Sequence, residues 1–219
     1  METLSPGQIY LADQRVLEEN NIYRRYRSFN QDRAAFGYLF VFNDDLLAAG
    51  KSVTLTIEED CYFVVIPVTG EVLVDGINID VGEVVVRFAR IGQIIELRNP
   101  YDTDWINFLY LQIKADHMPE QVNYQFRFDL ETSPDKLIDI TCSTLPFALQ
   151  IGMFAGRNEA LYQIKENFTL LYAFVIAGAF ELQGRLLHER DGLALWGLTE
   201  ADLEALSNNA VVLLLEMEA

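Results

Sequence analysis

The chain has 219 residues, of which 51% are hydrophobic, and its net charge is −17 from 33 acidic and 16 basic residues. This composition supports a folded core and argues against disorder. A strongly negative field repels phosphate backbones and anionic lipid, so we expect neither nucleic acid nor a membrane surface as a partner.

The cysteine content and the first residues bear on the compartment. Cys61 and Cys142 form neither a CxxC motif nor a disulfide framework, which is typical of a reducing compartment. Residues 1–15 lack the basic and apolar regions of a signal peptide. No apolar run approaches the roughly 18 residues that cross a bilayer. We therefore expect a cytoplasmic protein.

Strand patterns dominate the first half of the chain. Residues 52–57 alternate polar and apolar side chains, and residues 62–68 form a β-branched run typical of a buried strand. Asp75-Gly76 has the composition of a type I′ hairpin turn. Further strands are predicted at residues 71–74, 77–81, 84–88, 94–98 and 106–113.

The pattern weakens over residues 114–136, which contain Pro119 and Pro134 and are predicted to connect two domains. Beyond them, strands are predicted at residues 161–164, 171–176, 180–182, 193–196 and 211–216. Residues 199–206 have two interpretations, because Thr199 could cap one or two helical turns or the segment could be a strand.

The two halves repeat one another. Gly70 and Gly76 match Gly178 and Gly184 at an offset of 108, and Gly82 matches Gly192 after two inserted residues. We expect each glycine to allow a tight turn with positive φ. Three glycines in step, with apolar strands between them, indicate an internal duplication. Short strands with regular turns predict a doubled all-β fold.

Several segments then resemble the pirin family of bicupins, which includes pirin-type quercetin 2,3-dioxygenases. They are I-Y-L-A-D-Q-R at 9–15, R-S-F at 27–29, F-G at 36–37, V-F-N-D-D at 41–45, A-G at 49–50, D-G-L-A-L at 191–195 and the strand at 211–217. The resemblance implies two tandem cupin jelly-roll domains. We place them at residues 1–115 and 137–219, with a connecting segment at 116–136.

In the family, the N-terminal cupin binds iron with four ligands, a His-x-His pair on one strand and a His-x-Glu pair on a later strand, and a motif glutamate follows the second histidine by four residues. Counted from Gly70 and Gly92, the resemblance places the four ligand positions on Thr56, Glu58, Ile95 and Leu97, and the motif glutamate on Tyr62. None keeps the family residue, and one carboxylate does not hold a metal. His117 and His188 are predicted turn residues outside these motifs. We therefore expect no metal, no cofactor and no catalytic residue.

The altered positions define the candidate ligand pocket. If Thr56 and Glu58 point into the barrel, Ser52 and Thr54 do so too, and this polar face opposes Ile95 and Leu97. Two interpretations stay open, a small mixed pocket or a filled barrel. A buried Glu58 would have a raised pKa and could exchange protons. The pocket candidates are Thr54, Thr56, Glu58, Tyr62, Ile95 and Leu97.

The basic run Arg24-Arg25-Tyr26-Arg27 could mark an anion or partner contact, but such runs more often pack their tyrosines inward and pair their arginines with nearby acids. We expect a pirin-like module that binds a small molecule or a protein partner, or that acts in regulation. The alternative is a quercetinase-like cupin dioxygenase with an atypical metal site.

Overall fold

The computed structural model describes residues 5–117 and 122–218. The first half contains a 3₁₀ turn at Ala12–Gln14 and twelve strands. The strands are β1 (Gly7–Tyr10), β2 (Val16–Glu19), β3 (Tyr23–Arg27), β4 (Leu39–Leu47), β5 (Ser52–Thr56), β6 (Cys61–Thr69), β7 (Val72–Val74), β8 (Ile77–Ile79), β9 (Glu83–Ala89), β10 (Ile94–Arg98), β11 (Ile106–Lys114) and β12 (Asn123–Arg127).

The second half adds nine strands within the described residues. They are β13 (Lys136–Asp139), β14 (Phe147–Phe154), β15 (Glu159–Gln163), β16 (Leu170–Ala177), β17 (Phe180–Leu182), β18 (Arg185–Leu187), β19 (Gly192–Trp196), β20 (Glu200–Ala205) and β21 (Ala210–Met217). The fold is therefore all-β, as predicted. No helix in the described part of the chain has the length and apolar character needed to cross a membrane.

The chain divides into two compact units. One comprises Arg15–Arg127, and the other combines the chain up to Gln14 with the chain from Phe128 onward. This division differs from the boundaries inferred from sequence, because β1 pairs with β19 while β12 pairs with β9. The segment expected to be a connection thus contains a strand of the first barrel, and the first strand belongs to the second barrel.

The two barrels share one topology. In the first, a sheet of order β12-β9-β6-β11-β4-β3-β2 accompanies a sheet of order β5-β10-β7-β8. In the second, the orders are β1-β19-β16-β21-β14-β13 and β15-β20-β17-β18. Strands β3 to β11 of the first barrel correspond in order to β13 to β21 of the second, and β1 occupies the edge that β12 occupies. Strand β2 has no counterpart in the second barrel. The strand order thus repeats as the duplicated glycine pattern predicts.

The glycines of the repeat serve two different purposes. Gly70 and Gly178 adopt φ values of 74° and 76°, which only glycine reaches without strain. Gly192 does not have positive φ, which corrects the expectation of a tight turn there. A Cβ on Gly192 would instead collide with the hydroxyl of Tyr172, so this glycine allows close packing of β19 on β16.

The backbone conformation tests the predicted hairpin turn and the two interpretations of residues 199–206. Asp75 and Gly76 have φ values of 50° and 79°, as a type I′ turn requires, so this prediction is confirmed. Of the two interpretations of residues 199–206, the strand is confirmed, since Glu200–Ala205 form β20. Its alternating burial places Ala201, Leu203 and Ala205 in the barrel core, and tertiary packing overrides the local capping pattern.

Candidate functional site

The N-terminal barrel contains an open cavity of about 410 Å³ between the edge strand β5 and one face of the seven-stranded sheet. On that face, Tyr110 of β11 lies opposite Asn43 of β4, which in turn lies opposite Arg27 of β3. Directly opposed residues share a face of a sheet. The lining residues are Arg25, Arg27, Phe29, Phe40, Val41, Phe42, Asn43, Thr54, Leu55, Thr56, Glu58, Tyr110 and Gln112.

Three of the six predicted pocket residues line this cavity, but not from the barrel interior. Thr54, Thr56 and Glu58 are exposed, while Leu55 and Ile57 are buried. The alternation along β5 is therefore out of phase with the inward orientation inferred from the resemblance. The structure corrects that orientation, and the proposed acid/base role of Glu58 loses its premise because Glu58 is not buried.

The other three predicted residues lie elsewhere in the barrel. Ile95 and Leu97 are 1% and 0% exposed and pack in the hydrophobic core with Leu55 and Ile57. Tyr62 alternates with the core residue Phe63 on β6, and its ring packs edge-on against Phe88, with the ring centroids 6.2 Å apart. The six residues therefore do not form one pocket. Of the two interpretations, the filled barrel describes the interior, because apolar side chains occupy it.

A buried ion pair forms the deepest polar feature of the site. Arg25, which is 7% exposed, donates from Nε and Nη2 to Oδ2 of Asp45 at 3.0 and 2.8 Å. Burial, reinforced by the neighbouring Asp44, raises the pKa of Asp45 to about 6 against the opposing effect of Arg25. Burial alone would lower the pKa of Arg25, but the hydrogen bonds to Asp45 and the electrostatic effects of Tyr110, Asp45 and Glu18 together outweigh it, so the pKa is raised. Both groups are charged at neutral pH.

Neutral polar groups extend the site above this pair. Asn43 donates from Nδ2 to the hydroxyl of Tyr110 at 2.6 Å. Burial, together with the charge of Asp45, raises the pKa of Tyr110, so its hydroxyl stays protonated. Gln112 is 7% exposed and, like Arg25, lines the cavity. These groups offer hydrogen-bond donors to the cavity.

The residues at the family's ligand positions do not fit a metal ion. First-row metals in such sites require imidazole and carboxylate donors around one point. Ile95 and Leu97 offer no donor atom, and Thr56 and Glu58 lie on the exposed edge. Within residues 5–117 and 122–218, no three His, Cys, Asp or Glu side chains come together as a metal site. His117 and His188 are both exposed.

Sequence reasoning singled out the basic run but did not place it in the site. As expected, its arginines pair with acids, since Arg24 contacts Glu19 at 3.3 Å and Arg27 contacts Glu18. The buried member is Arg25, whereas the expectation was that tyrosines would turn inward. The signal was present in the alternation of β3, because residues 23, 25 and 27 share a face with Asp45 and Asn43.

Comparison with known proteins supports the fold and one domain in particular. Residues 147–217 match the family described as the quercetinase C-terminal cupin domain. No curated protein sequence matches the chain.

Solved structures match nearly the whole chain at low identity. YhhW from Escherichia coli superposes with a TM-score of 0.82 at 17% identity, covering 97% of both chains. The bacterial pirin YhhW in complex with nickel(II) gives 0.82 at 16% identity, covering 97% of this chain and 99% of that one. A quercetin 2,3-dioxygenase from Acinetobacter baumannii gives 0.71 at 15% identity, covering 96% and 85%.

Proposed function

Because this chain is a pirin-like bicupin, we propose that its N-terminal barrel binds a small molecule without a metal ion. The single observation that carries the proposal is the set of polar side chains that line the cavity. Arg25 and Gln112 both contribute to its wall, although each is more than nine-tenths buried. A ligand in the cavity would accept hydrogen bonds from these side chains.

The size and the lining of the cavity support a ligand. The cavity of about 410 Å³ is within the roughly 300–1,000 Å³ that is usual for small-molecule sites. Phe29 and Phe40 supply apolar walls beside the donors. This combination of apolar walls and a few convergent polar groups is typical of a ligand pocket.

The charges narrow the class of ligand. Asp45 neutralises Arg25, and Glu58 lies at the rim, so the site does not favour a multiply charged anion such as a nucleotide. Arginine and amide donors select hydrogen-bond acceptors. We infer an aromatic molecule that carries one carboxylate or carbonyl group. The two free thiols support a reducing compartment for this binding function.

Binding can be measured by calorimetry with benzoate, hydroxybenzoates and quercetin as probes. We expect at least one probe to bind, and Gln112→Leu to lower its affinity about tenfold, because the substitution removes a hydrogen bond to a charged or polar acceptor. The matched control is Gln163→Leu on the second barrel, where the glutamine is exposed. Binding that is equal in Gln112→Leu and in the control would contradict the site.

Metal analysis distinguishes metal-free binding from the dioxygenase alternative. Protein purified without chelator or added metal should contain no stoichiometric iron, nickel or copper, because the donor set does not fit them. A stoichiometric metal that is lost on dialysis against chelator, together with oxygen consumption in the presence of quercetin, would overturn the proposal. Failure of every aromatic probe would instead favour a protein-contact role for this surface.

A further inference from the structure

The C-terminal barrel has a cavity of about 340 Å³ at the position equivalent to the first. Asp139 lies opposite Gln150 on β13 and β14, just as Arg27 lies opposite Asn43 on β3 and β4. Asp139 and Ala148 line this second cavity. The duplicated topology has therefore produced two cavities in matched places.

The charges of the two cavities are reversed. Asp139 stands where the first barrel has Arg27, and Lys165 lies two residues after β15 as Glu58 lies two residues after β5. Glu216 stands where the first barrel has Gln112, since the two residues oppose Leu171 and Phe63, which are 108 positions apart. The second cavity thus has two carboxylates where the first has a guanidinium and an amide.

Glu216 lies on the cavity side of its sheet. It is directly opposite Ala148, which lines the cavity, and directly opposed residues of antiparallel strands point to the same side. Its Oε1 accepts the backbone N–H of Lys165 at 3.0 Å, and Lys165 also lines the cavity. The Glu216 carboxylate therefore lies beneath the part of the cavity wall that Asp139 and Lys165 form.

Polar atoms in this region are buried and unsatisfied. Oε2 of Glu216, the hydroxyl of Tyr162 and Oε1 of Gln150 have no well-aligned hydrogen-bond partner among the described residues. The three side chains are 0%, 6% and 7% exposed. The oxygens of Glu216 and Gln150 are acceptors only. The hydroxyl of Tyr162 interacts with Glu216, so Gln150 Oε1 is the acceptor that needs a further donor.

The ionisable groups of this region reflect the same burial. Burial raises the pKa of Glu216, against the opposing effects of the backbone N–H of Lys165 and the hydroxyl of Tyr162. Burial and the nearby charge of Glu216 also raise the pKa of Tyr162, so its hydroxyl stays protonated beside the carboxylate. A cation near the carboxylates of Asp139 and Glu216 would therefore meet more hydrogen-bond acceptors than donors.

The protein already places an ammonium group at the mouth of this cavity. Nζ of Lys165 donates to Oδ1 of Asp139 at 2.8 Å. That oxygen also accepts the amide of Gln150 at 2.8 Å, which leaves Gln150 Oε1 for another donor. The contact shows that the acidic wall accommodates a primary ammonium.

We propose that the C-terminal cavity binds a small molecule with a protonated primary amine, held by Asp139, with the buried Glu216 as a second negative charge behind the cavity wall. Lys165 is a tethered competitor that a ligand displaces from Asp139. The amine donates to Asp139 and towards the unpartnered Oε1 of Gln150, and its charge is balanced by the two carboxylates. The site is independent of the aromatic-ligand site in the first barrel, since no residue is shared.

Calorimetric titration with methylammonium and with putrescine tests this proposal on the full chain. Lys165→Met removes the competitor and should strengthen binding about threefold to fivefold, the value of a partly exposed ion pair. The matched control is Lys136→Met, an exposed lysine on β13, which should leave the affinity unchanged.

Glu216→Gln should weaken binding about tenfold or more in both the wild-type and the Lys165→Met backgrounds. Because Glu216 is buried, Asp139→Asn provides a second variant at an exposed position, and circular dichroism verifies the fold of each. Absence of amine binding in the Lys165→Met protein would overturn the proposal, as would affinity unchanged by both carboxylate variants. Binding of aromatic probes should be unaffected by Glu216→Gln, so the two proposals fail separately.

Discussion

The two barrels have the same strand order and different cavities. On the inner face of the first, Asn43, Tyr110 and Gln112 surround the Arg25–Asp45 pair, whereas the second has Gln150, Leu214 and Glu216, with Leu137 and Gly152 in place of the ion pair. The topology depends on apolar cores and turn residues that both halves retain. The polarity of the cavity depends on a few positions of three neighbouring strands, so it can change without changing the fold.

The largest expected effect concerns the ion pair that only the first barrel has. Arg25→Met leaves Asp45 buried and unpaired, so we expect the free energy of unfolding to fall by about 3–5 kcal/mol. Lys165→Met breaks the partly exposed pair with Asp139 in the second barrel and should cost less than about 1 kcal/mol. Urea denaturation measures both.

A double variant provides the control for this comparison. Arg25→Met combined with Asp45→Leu removes both charges and should restore part of the lost stability. If the single Arg25 variant is no less stable than Lys165→Met, the ion pair does not stabilise the first barrel in the way described.

The cores should respond equally in the two barrels. Leu97 and Leu203, in matched places on β10 and β20, are 0% and 2% exposed. Each Leu→Ala substitution should lower the free energy of unfolding by about 3 kcal/mol through lost burial and a residual cavity. Thr54→Ala, at an exposed position on the strand next to that of Leu97, should stay within about 0.5 kcal/mol of wild type. A small loss in Leu97→Ala alone would show that the first barrel is not filled.

The pH dependence of stability tests the raised pKa of Asp45. Its pKa is raised in the folded protein, from 3.8 to about 6, so the folded state binds the proton more tightly than the unfolded state. The resulting stabilisation is complete below about pH 4 and disappears as the pH rises through 6. The stability of wild type relative to Asp45→Asn should therefore decrease between pH 4 and 6 and stay constant above. A difference that increases with pH would mean that Arg25 lowers the pKa.

The smallest effect is a difference in thiol reactivity. Cys61 is fully buried and burial raises its pKa to about 12, whereas Cys142 is partly exposed in the second cavity. Thiolate is the reactive form, so a thiol reagent should label one cysteine in the native protein and two after unfolding. Mass spectrometry identifies the labelled site, and Cys142→Ser should abolish native labelling. Labelling of Cys61 in the native protein would show that the first barrel opens.

The fold could be predicted because its signals are local. Alternating residues placed β5 and β10, and glycines repeated at a constant offset indicated the duplication. The edge strands could not be placed in the same way. Strand pairing between β1 and β19 depends on residues more than 180 positions apart, and no local pattern specifies such a partner.

The site was harder to predict, because a one-residue error in phase reverses the face of a strand. Counting from Gly70 put Thr56 and Glu58 inside, whereas the structure puts Leu55 and Ile57 there. The donors of Arg25, Tyr110 and Gln112 come from two strands that are distant in sequence. These donors come together only because β3 and β11 both pair with β4.

The exchange of edge strands also has a consequence for synthesis of the chain. Residues 7–10 leave the ribosome long before their partners at 192–195 exist. At roughly 5–20 residues per second, β1 waits about ten to forty seconds without a partner. The first barrel, which needs no residue after Arg127, can fold during that interval. The short strand β1 then completes the second sheet, so the earliest strand to be made is among the last to be paired.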